Sequence, residues 1–197
     1  MANYGERLAY WYLRLQGFCL VENFVLHRRT IGDKAIHTAD ADLLAIRLSG
    51  SCEEIDGERL DPDPWLAQEL QFDTRHVALV VEVKTGSMPS AGQAFDRERI
   101  LYALKFLGVP GQPVDNIANA LTENATTLAG GYWLVGKLLI TESPASITGQ
   151  PCLQLNLDNA LRFIDQRLTL HADRKRADRL FFPDELMQFL AWRRSIE

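Results

Sequence analysis

One stretch of nine residues decides the predicted fold of this chain, and it reads His76-Val77-Ala78-Leu79-Val80-Val81-Glu82-Val83-Lys84. The apolar run that follows His76 is short and continuous, which is typical of a strand buried in a sheet. Side chains alternate along a strand, so Glu82 and Lys84 face the same side while Val83 points into the core. Charged groups at the end of a buried strand are costly unless they are paired or bind a metal. This strand end is therefore the first candidate for a functional site.

A second strand is predicted upstream, over residues 38–48, and acidic residues are embedded in it. The alternation of a strand places Asp40 and Asp42 on the same face. An acid from this strand, with an acid and a lysine from its neighbour, can hold a divalent cation beside a phosphate. We expect Asp42, Glu82 and Lys84 to meet in this way, with Asp40 beside them or solvated at the strand start.

The remaining patterns alternate between helices and strands. They predict a helix over 5–16, a strand over 18–29, a surface excursion over 49–75 with a short helix at 65–70, a helix over about 92–107 that Ser90 could cap, a short helix over 114–129, strands over 132–140 and 152–155, and helices over 158–169 and 184–194. This order predicts an α/β fold with a mixed central sheet flanked by helices. We expect one domain over 1–197, with its core at about 5–140 and a C-terminal helical extension at about 156–197.

Composition narrows the class of protein. No apolar run reaches the roughly 18 residues that span a membrane, and the N-terminal residues lack the pattern of a signal peptide. The cysteines are three in number and form no CxxC pair, so we expect neither a disulfide framework nor a zinc site. The four histidines show no metal-ligand spacing, and the common nucleotide-binding glycine motifs are absent. A cytoplasmic location with no membrane partner is the simplest expectation.

Charge is unevenly distributed along the chain. The formal net charge of −5 argues mildly against a nucleic-acid partner. The excursion over 49–75 alone carries eight acids and two arginines, so the rest of the chain is close to neutral. Basic clusters lie at Arg28-Arg29, at 174–176 and at 193–194, and each taken singly is typical of a solvated surface. The excursion could restrict which substrate reaches the predicted site, or it could dock a partner.

The candidate residues suit phosphodiester hydrolysis. That reaction needs an activated water and relief of the charge that builds on the phosphate, and bound Mg²⁺ (or Mn²⁺) can supply both. Mg²⁺ prefers hard oxygen ligands and keeps several waters, so two carboxylates and one carbonyl suffice. Asp42 and Glu82 could supply the carboxylates and Val83 the carbonyl. Lys84 would place its compact charge beside the attacking water or the phosphate.

These residues and their order resemble the PD-(D/E)xK nuclease superfamily, which has the restriction-endonuclease-like fold. The resemblance covers about residues 5–107. It implies an αβββαβ core with an acid at the start of the second strand, matched by Asp42, and a (D/E)-x-K on the third, matched by Glu82 and Lys84. The residue before Asp42 is Ala41, where the name-giving pattern has proline, and the gap between the two motif elements is long.

The resemblance also implies further site residues. An acid on the first helix often joins the site, and Glu6 matches it as a further metal ligand. Some branches, including the RecB-like and Holliday-junction-resolvase-like ones, add a polar residue on the helix after the motif strand. Gln93 is the match here, with Arg97 one turn later on the same face. Arg97, Arg28 and Arg29 are the expected nucleic-acid contacts.

Three hypotheses follow. The first is a Mg²⁺-dependent nuclease that cuts DNA, or RNA, and acts alone, as a homodimer or with a protein partner. The second is a catalytically inactive member of the same fold that serves as a binding or regulatory subunit for protein or nucleic acid. The third is an unrelated α/β binding protein, in which Asp42, Glu82 and Lys84 lie far apart. Structural readings compete with each role, because Glu82 could pair with Lys84 or Arg97 and Asp42 could accept hydrogen bonds in a turn.

Overall fold

A computed structural model describes residues 3–28, 36–55, 57–86, 95–142, 151–170 and 182–194. The helices within these ranges are α1 (Tyr4–Leu15), α2 (Pro64–Glu69), α3 (Arg97–Leu107), α4 (Val114–Glu123), α5 (Leu157–Thr169) and α6 (Glu185–Arg194). The strands are β1 (Cys19–Arg28), β2 (Ile36–Arg47), β3 (Glu53–Ile55), β4 (Glu58–Leu60), β5 (His76–Lys84), β6 (Thr126–Ala129), β7 (Trp133–Thr141) and β8 (Leu153–Asn156). No helix in the described ranges has both the length and the apolar character needed to cross a membrane.

Six of the described strands form a mixed sheet with β5 at its centre, and β3 and β4 form a separate two-stranded sheet. The order is β1-β2-β5-β7-β6, and β8 also pairs with β7. β2 pairs antiparallel with both β1 and β5, whereas β5 and β7 run parallel. β6 covers the first part of the outer edge of β7, and β8 covers the last part. The predicted α/β class with a mixed central sheet flanked by helices is confirmed.

Both faces of the sheet are buried. On one face, Val81 belongs to a core that includes Leu8 of α1 and Ile164 of α5. On the other face, Val80 belongs to a core that includes residues of α3 and α4 such as Ile100 and Ile117. Neighbouring positions of β5 thus point into two different cores, which explains why its sequence is a continuous apolar run with no alternation.

Two predicted helix boundaries are wrong. The helix predicted from about Gly92 begins at Arg97, because the Asp96 carboxylate caps it by accepting from the N–H groups of Glu98 and Arg99 at 2.9 and 3.0 Å. Ser90, the predicted cap, lies outside the described residues. The helix predicted over 114–129 ends at Glu123, where Asn124 becomes extended and residues 126–129 form β6 against β7. Pairing with β7 outweighs local helix propensity in this segment.

The segment over 49–75 contributes to the core, so its interpretation as a purely surface excursion is wrong. It contains the β3–β4 hairpin as well as α2. Leu60, Leu66, Leu70 and Phe72 within it are buried. These side chains lie in a hairpin strand, in a short helix and in the loop after it, so no single period along the sequence reveals that all of them are buried.

Arg47 fastens this segment to the sheet. Its side chain is buried, and its guanidinium donates to the carbonyl oxygens of Gln16 at 2.9 Å and Phe72 at 3.2 Å. The guanidinium also lies 3.9 Å from the centroid of the Phe72 ring. A buried cation is tolerated when carbonyl oxygens satisfy its donors, and Arg47 meets that condition.

The position of the 49–75 segment separates it from the predicted site. It joins the end of β2 to the start of β5, where Arg47 pairs with Val77. Glu82 lies five residues further along β5, which corresponds to about 17 Å of strand. The structure therefore gives no support to the interpretation of this segment as a flap that restricts access to Glu82. Docking of a partner there stays a prediction.

Candidate functional site

The candidate site lies where β2 and β5 separate. Their last paired residues are Leu43 and Val81, so Asp42 and Glu82 are the next residue along each strand. Beyond this point a side chain replaces the main-chain partner on β2: the Asp42 carboxylate accepts a hydrogen bond of 2.6 Å from the N–H of Val83. Two acids that are forty residues apart in sequence are thereby brought to the same point of the sheet.

The carbonyl of Val83 faces the same gap. At even positions of β5 the main chain points toward β7, since His76 donates to the Tyr132 carbonyl and the Lys84 carbonyl accepts from Glu142. The N–H and C=O of one residue in a strand point toward the same neighbour, and this direction alternates from residue to residue. Val83 therefore directs both groups toward β2. This oxygen can join the acids, as predicted from the sequence.

Glu82 is the most perturbed acid of the site. Its side chain is almost fully buried, and the residue is 5% exposed. Burial, followed by repulsion from Asp42, raises the pKa of Glu82 to about 7, although Lys84 and Arg99 act in the opposite direction. A carboxyl with such a pKa exchanges its proton near neutral pH, and any additional cation at the site would favour its ionised form.

Lys84 completes the motif on β5. Its ammonium contacts the Glu82 carboxylate directly, and its side chain is partly exposed. The contact links two residues of one strand that are two positions apart and on the same face, as the alternation predicts. The cation is thus held at the strand end with access to solvent and to a bound anion.

Glu6 on α1 belongs to the same electrostatic cluster. Asn3 caps α1 by accepting from the Glu6 N–H at 3.0 Å, and its side-chain amide donates to the Glu6 carboxylate at 2.6 Å. Burial, and then the charge of Asp42, raises the pKa of Glu6, while Lys84 lowers it. The charges of both motif elements, represented by Asp42 and Lys84, therefore act on the Glu6 carboxyl.

The close packing of α1 explains how Glu6 reaches the strand end. A Cβ atom added at Gly5 would overlap Cγ2 of Thr85, the residue that follows β5. Only glycine permits this approach between the first turn of α1 and the end of β5. The predicted convergence of α1, β2 and β5 at one point is a property of the described backbone.

Other predicted site residues lie elsewhere. Arg97 donates to Asn119 at 2.5 Å and pairs with Asp115 at 2.9 Å, so it contacts α4 and not the acids. Arg28 is the last residue of β1 and pairs with Ile36. Gln93 and Arg29 lie outside the described residues, so their predicted roles stay predictions.

Arg99 is a cation near the site that the sequence reasoning missed. It lies in the first turn of α3, where it pairs with Asp96 at 3.4 Å, and its charge acts on Glu82. The only signal in the sequence was its place two residues after Arg97, which turns it to a different side of the helix. To predict which of the two arginines lies near Glu82, one must know that α3 begins at Arg97.

The donor set at this site is small. The described residues contain no group of three or more histidine, cysteine, aspartate or glutamate side chains in an arrangement that could hold a metal ion. The set available to a cation consists of the carboxylates of Asp42 and Glu82 with the Val83 carbonyl, and Glu6 lies at the margin. The third hypothesis expected Asp42, Glu82 and Lys84 to lie far apart. This expectation is wrong, because the three residues meet where β2 and β5 separate.

Comparisons with known proteins identify no relative. No protein family matches this chain, and no curated protein or solved structure matches it either.

Proposed function

We propose that this protein is a metal-dependent nuclease that hydrolyses phosphodiester bonds of DNA at the site formed by Asp42, Glu82 and Lys84. One observation carries the proposal: two carboxylates, a main-chain carbonyl and a lysine converge where β2 and β5 separate, with Asp42 bonded to the Val83 N–H. The resemblance of these residues and their order in the sequence to the PD-(D/E)xK superfamily supports the same function.

The residues present fit a hard divalent cation. Asp42 and Glu82 offer charged oxygen donors, and Val83 offers a neutral one, which is the kind of partial shell with which Mg²⁺ is bound in enzymes that act on phosphates. Burial, followed by the negative charge of Asp42, raises the pKa of Glu82, and a bound cation would favour the ionised carboxylate. When bound there, Mg²⁺ or Mn²⁺ would supply Lewis acidity and a more acidic water.

The chain's own groups can perform the remaining tasks of hydrolysis. The reaction adds water across one bridging P–O bond and yields a phosphate monoester and a hydroxyl. Lys84 would stabilise the negative charge that develops on the phosphate oxygens. Glu82, ionised when a cation is bound, would serve as a ligand of that cation. Asp42 holds the strand end in place through Val83.

A specific observation favours a second candidate, the catalytically inactive binding or regulatory subunit. The Lys84 ammonium contacts the Glu82 carboxylate, and such a contact satisfies both charges without a metal. The net charge of −5 also suits a protein partner at least as well as a nucleic acid. In this alternative the acids would serve as structural groups.

Cleavage assays distinguish the two candidates. The panel contains supercoiled, linear, single-stranded and branched DNA together with RNA, each incubated with Mg²⁺ or Mn²⁺ and, in parallel, with EDTA. Lys84→Ala is the test variant. Lys105→Ala is the matched control, because Lys105 is an exposed lysine of α3 that lies 5.8 Å from the Tyr102 ring and away from the acids.

The nuclease proposal expects metal-dependent cleavage that falls at least about a hundredfold in Lys84→Ala and stays within about twofold in Lys105→Ala. Cleavage that survives in Lys84→Ala would overturn it. If no substrate is cut, calorimetric titration of Mn²⁺ decides the matter, since absence of binding would favour the inactive subunit.

A further inference from the structure

The β1–β2 hairpin is longer than the sheet that carries it. β1 pairs with β2 from Cys19–Ile46 to Arg28–Ile36, whereas β2 pairs with β5 only between residues 43 and 47. In the described part of the chain, residues 24–28 and 36–41 therefore form a two-stranded ribbon with no third strand beside it. Its five residue steps correspond to a length of about 17 Å.

The ribbon begins at the candidate site. Its first pair is Phe24 with Ala41, and Ala41 immediately precedes Asp42. The Phe24 ring packs against Phe106 of α3 with centroids 4.4 Å apart. This contact holds the base of the ribbon against a helix of the core. The ribbon therefore leaves the sheet at the site, and its base has a defined position relative to Asp42 and Glu82.

Residue types change along the ribbon. The pairs nearest the site are Phe24 with Ala41, Val25 with Asp40 and Leu26 with Ala39, and all of these residues except Asp40 are apolar. The last described pairs are His27 with His37 and Arg28 with Ile36. Residue types that donate hydrogen bonds thus gather at the far end. The sequence alone did not show that the two histidines occupy one register position.

Resting on the proposed function, we propose that this ribbon is an arm that enters the major groove of duplex DNA when a phosphate of that DNA occupies the site. The major groove of B-form DNA is about 12 Å wide and admits a two-stranded ribbon. An arm of about 17 Å that starts beside a bound phosphate is long enough to cross this groove. A single strand offers no groove, and the major groove of an RNA duplex is too narrow for such an arm.

Two variants test the arm. The first replaces residues 27–38 with an Asn-Gly turn, which can close the Leu26–Ala39 pair as a two-residue hairpin loop. The second keeps the length and combines His27→Ala, Arg28→Ala and His37→Ala. Arg59→Ala is the matched control, because Arg59 is an exposed arginine on β4. It lies in the segment 49–75, which joins β2 to β5 at the end opposite the candidate site. Melting curves verify that each variant is folded.

The readout compares a large substrate with a small one. The substrates are a DNA duplex of about 30 base pairs and bis(4-nitrophenyl) phosphate, a small diester that cannot contact the arm. We expect kcat/KM for the duplex to fall at least about tenfold in both ribbon variants, while hydrolysis of the small diester stays within about twofold. Undiminished duplex cleavage in the folded ribbon variants would overturn the arm.

Failure of the proposed function gives a different result. If the wild-type protein hydrolyses neither of these two substrates, the Mn²⁺ titration decides the nuclease proposal, and the arm is tested by fluorescence anisotropy with the labelled duplex at low salt. Binding that weakens at least about tenfold in both ribbon variants and not in Arg59→Ala would support the arm. Equal binding by all four proteins, or no binding by the wild type, would refute it.

Discussion

Replacing Glu82 with glutamine should change how the stability of this protein depends on pH. The ordinary pKa of the side chain is 4.5, and burial beside Asp42 raises it to about 7 in the folded protein. The folded state therefore binds this proton more tightly than the unfolded chain does. The free energy of unfolding must fall as pH rises from about 4.5 to about 7, and the full loss of about 3 kcal/mol is present above that range. Glu82→Gln removes the titrating group and with it this loss.

The assay is urea unfolding in EDTA at about pH 5 and about pH 8, for wild type and variant. Tryptophan fluorescence can report unfolding, since Trp11 is buried in the core. Packing changes that the substitution causes at both pH values cancel in this comparison, and the charge contact with Lys84 is already included in the pKa of about 7. Relative to wild type, we expect the variant to gain about 2 to 3 kcal/mol between the two pH values.

Glu123→Gln is the matched control, because Glu123 lies on the exposed end of α4. Its stability relative to wild type should change by less than about 0.5 kcal/mol over the same pH range. If Glu82→Gln behaves like this control, the carboxyl of Glu82 is not held in a desolvated, negatively charged environment. The electrostatic description of the site would then be wrong.

Three further predictions concern packing and metal binding. Gly5→Ala should lower the free energy of unfolding by about 1 to 3 kcal/mol, because the added methyl would meet the methyl group of Thr85. Gly131→Ala, which has open space around it, should change this free energy by less than about 0.5 kcal/mol in the same urea titration. Arg47→Ala should be destabilising by about 3 kcal/mol or more because it leaves buried carbonyl oxygens without donors, and Arg59→Ala should be nearly neutral; equal melting temperatures for the two would contradict the fastening role of Arg47. Saturating Mg²⁺ should raise the unfolding midpoint of the wild type, with a gain of about 1.4 kcal/mol at a concentration ten times the dissociation constant, and should leave Asp42→Asn unchanged if Asp42 is a ligand.

The centre of the sheet could be predicted from the sequence because its signals are local and strong. The apolar run of β5 and the acids of β2 each indicate a strand, and neighbouring strands bring Asp42 close to Glu82. These residues meet through backbone pairing, which the alternation of strands makes predictable. Their functional roles stay predictions until metal binding and cleavage are measured.

The features that local patterns do not reveal depend on tertiary partners. Arg97 was expected to contact nucleic acid, which stays a prediction, and no pattern near it reveals that Asp115 and Asn119 of α4 bind its side chain. The start of α3 was misplaced because the hydrogen bonds of Asp96 outweigh the helical periodicity that precedes them. In both cases a few specific hydrogen bonds, and not the distribution of apolar residues, decide the outcome.

The hydrogen bond between Asp42 and the Val83 amide also makes this site accessible to spectroscopy. At 2.6 Å it is a short bond between an N–H and a carboxylate, and such a proton resonates downfield of ordinary strand amides. A cation that draws electron density from the same carboxylate should weaken the bond and shift this resonance upfield. A single labelled amide could therefore record occupancy of the site.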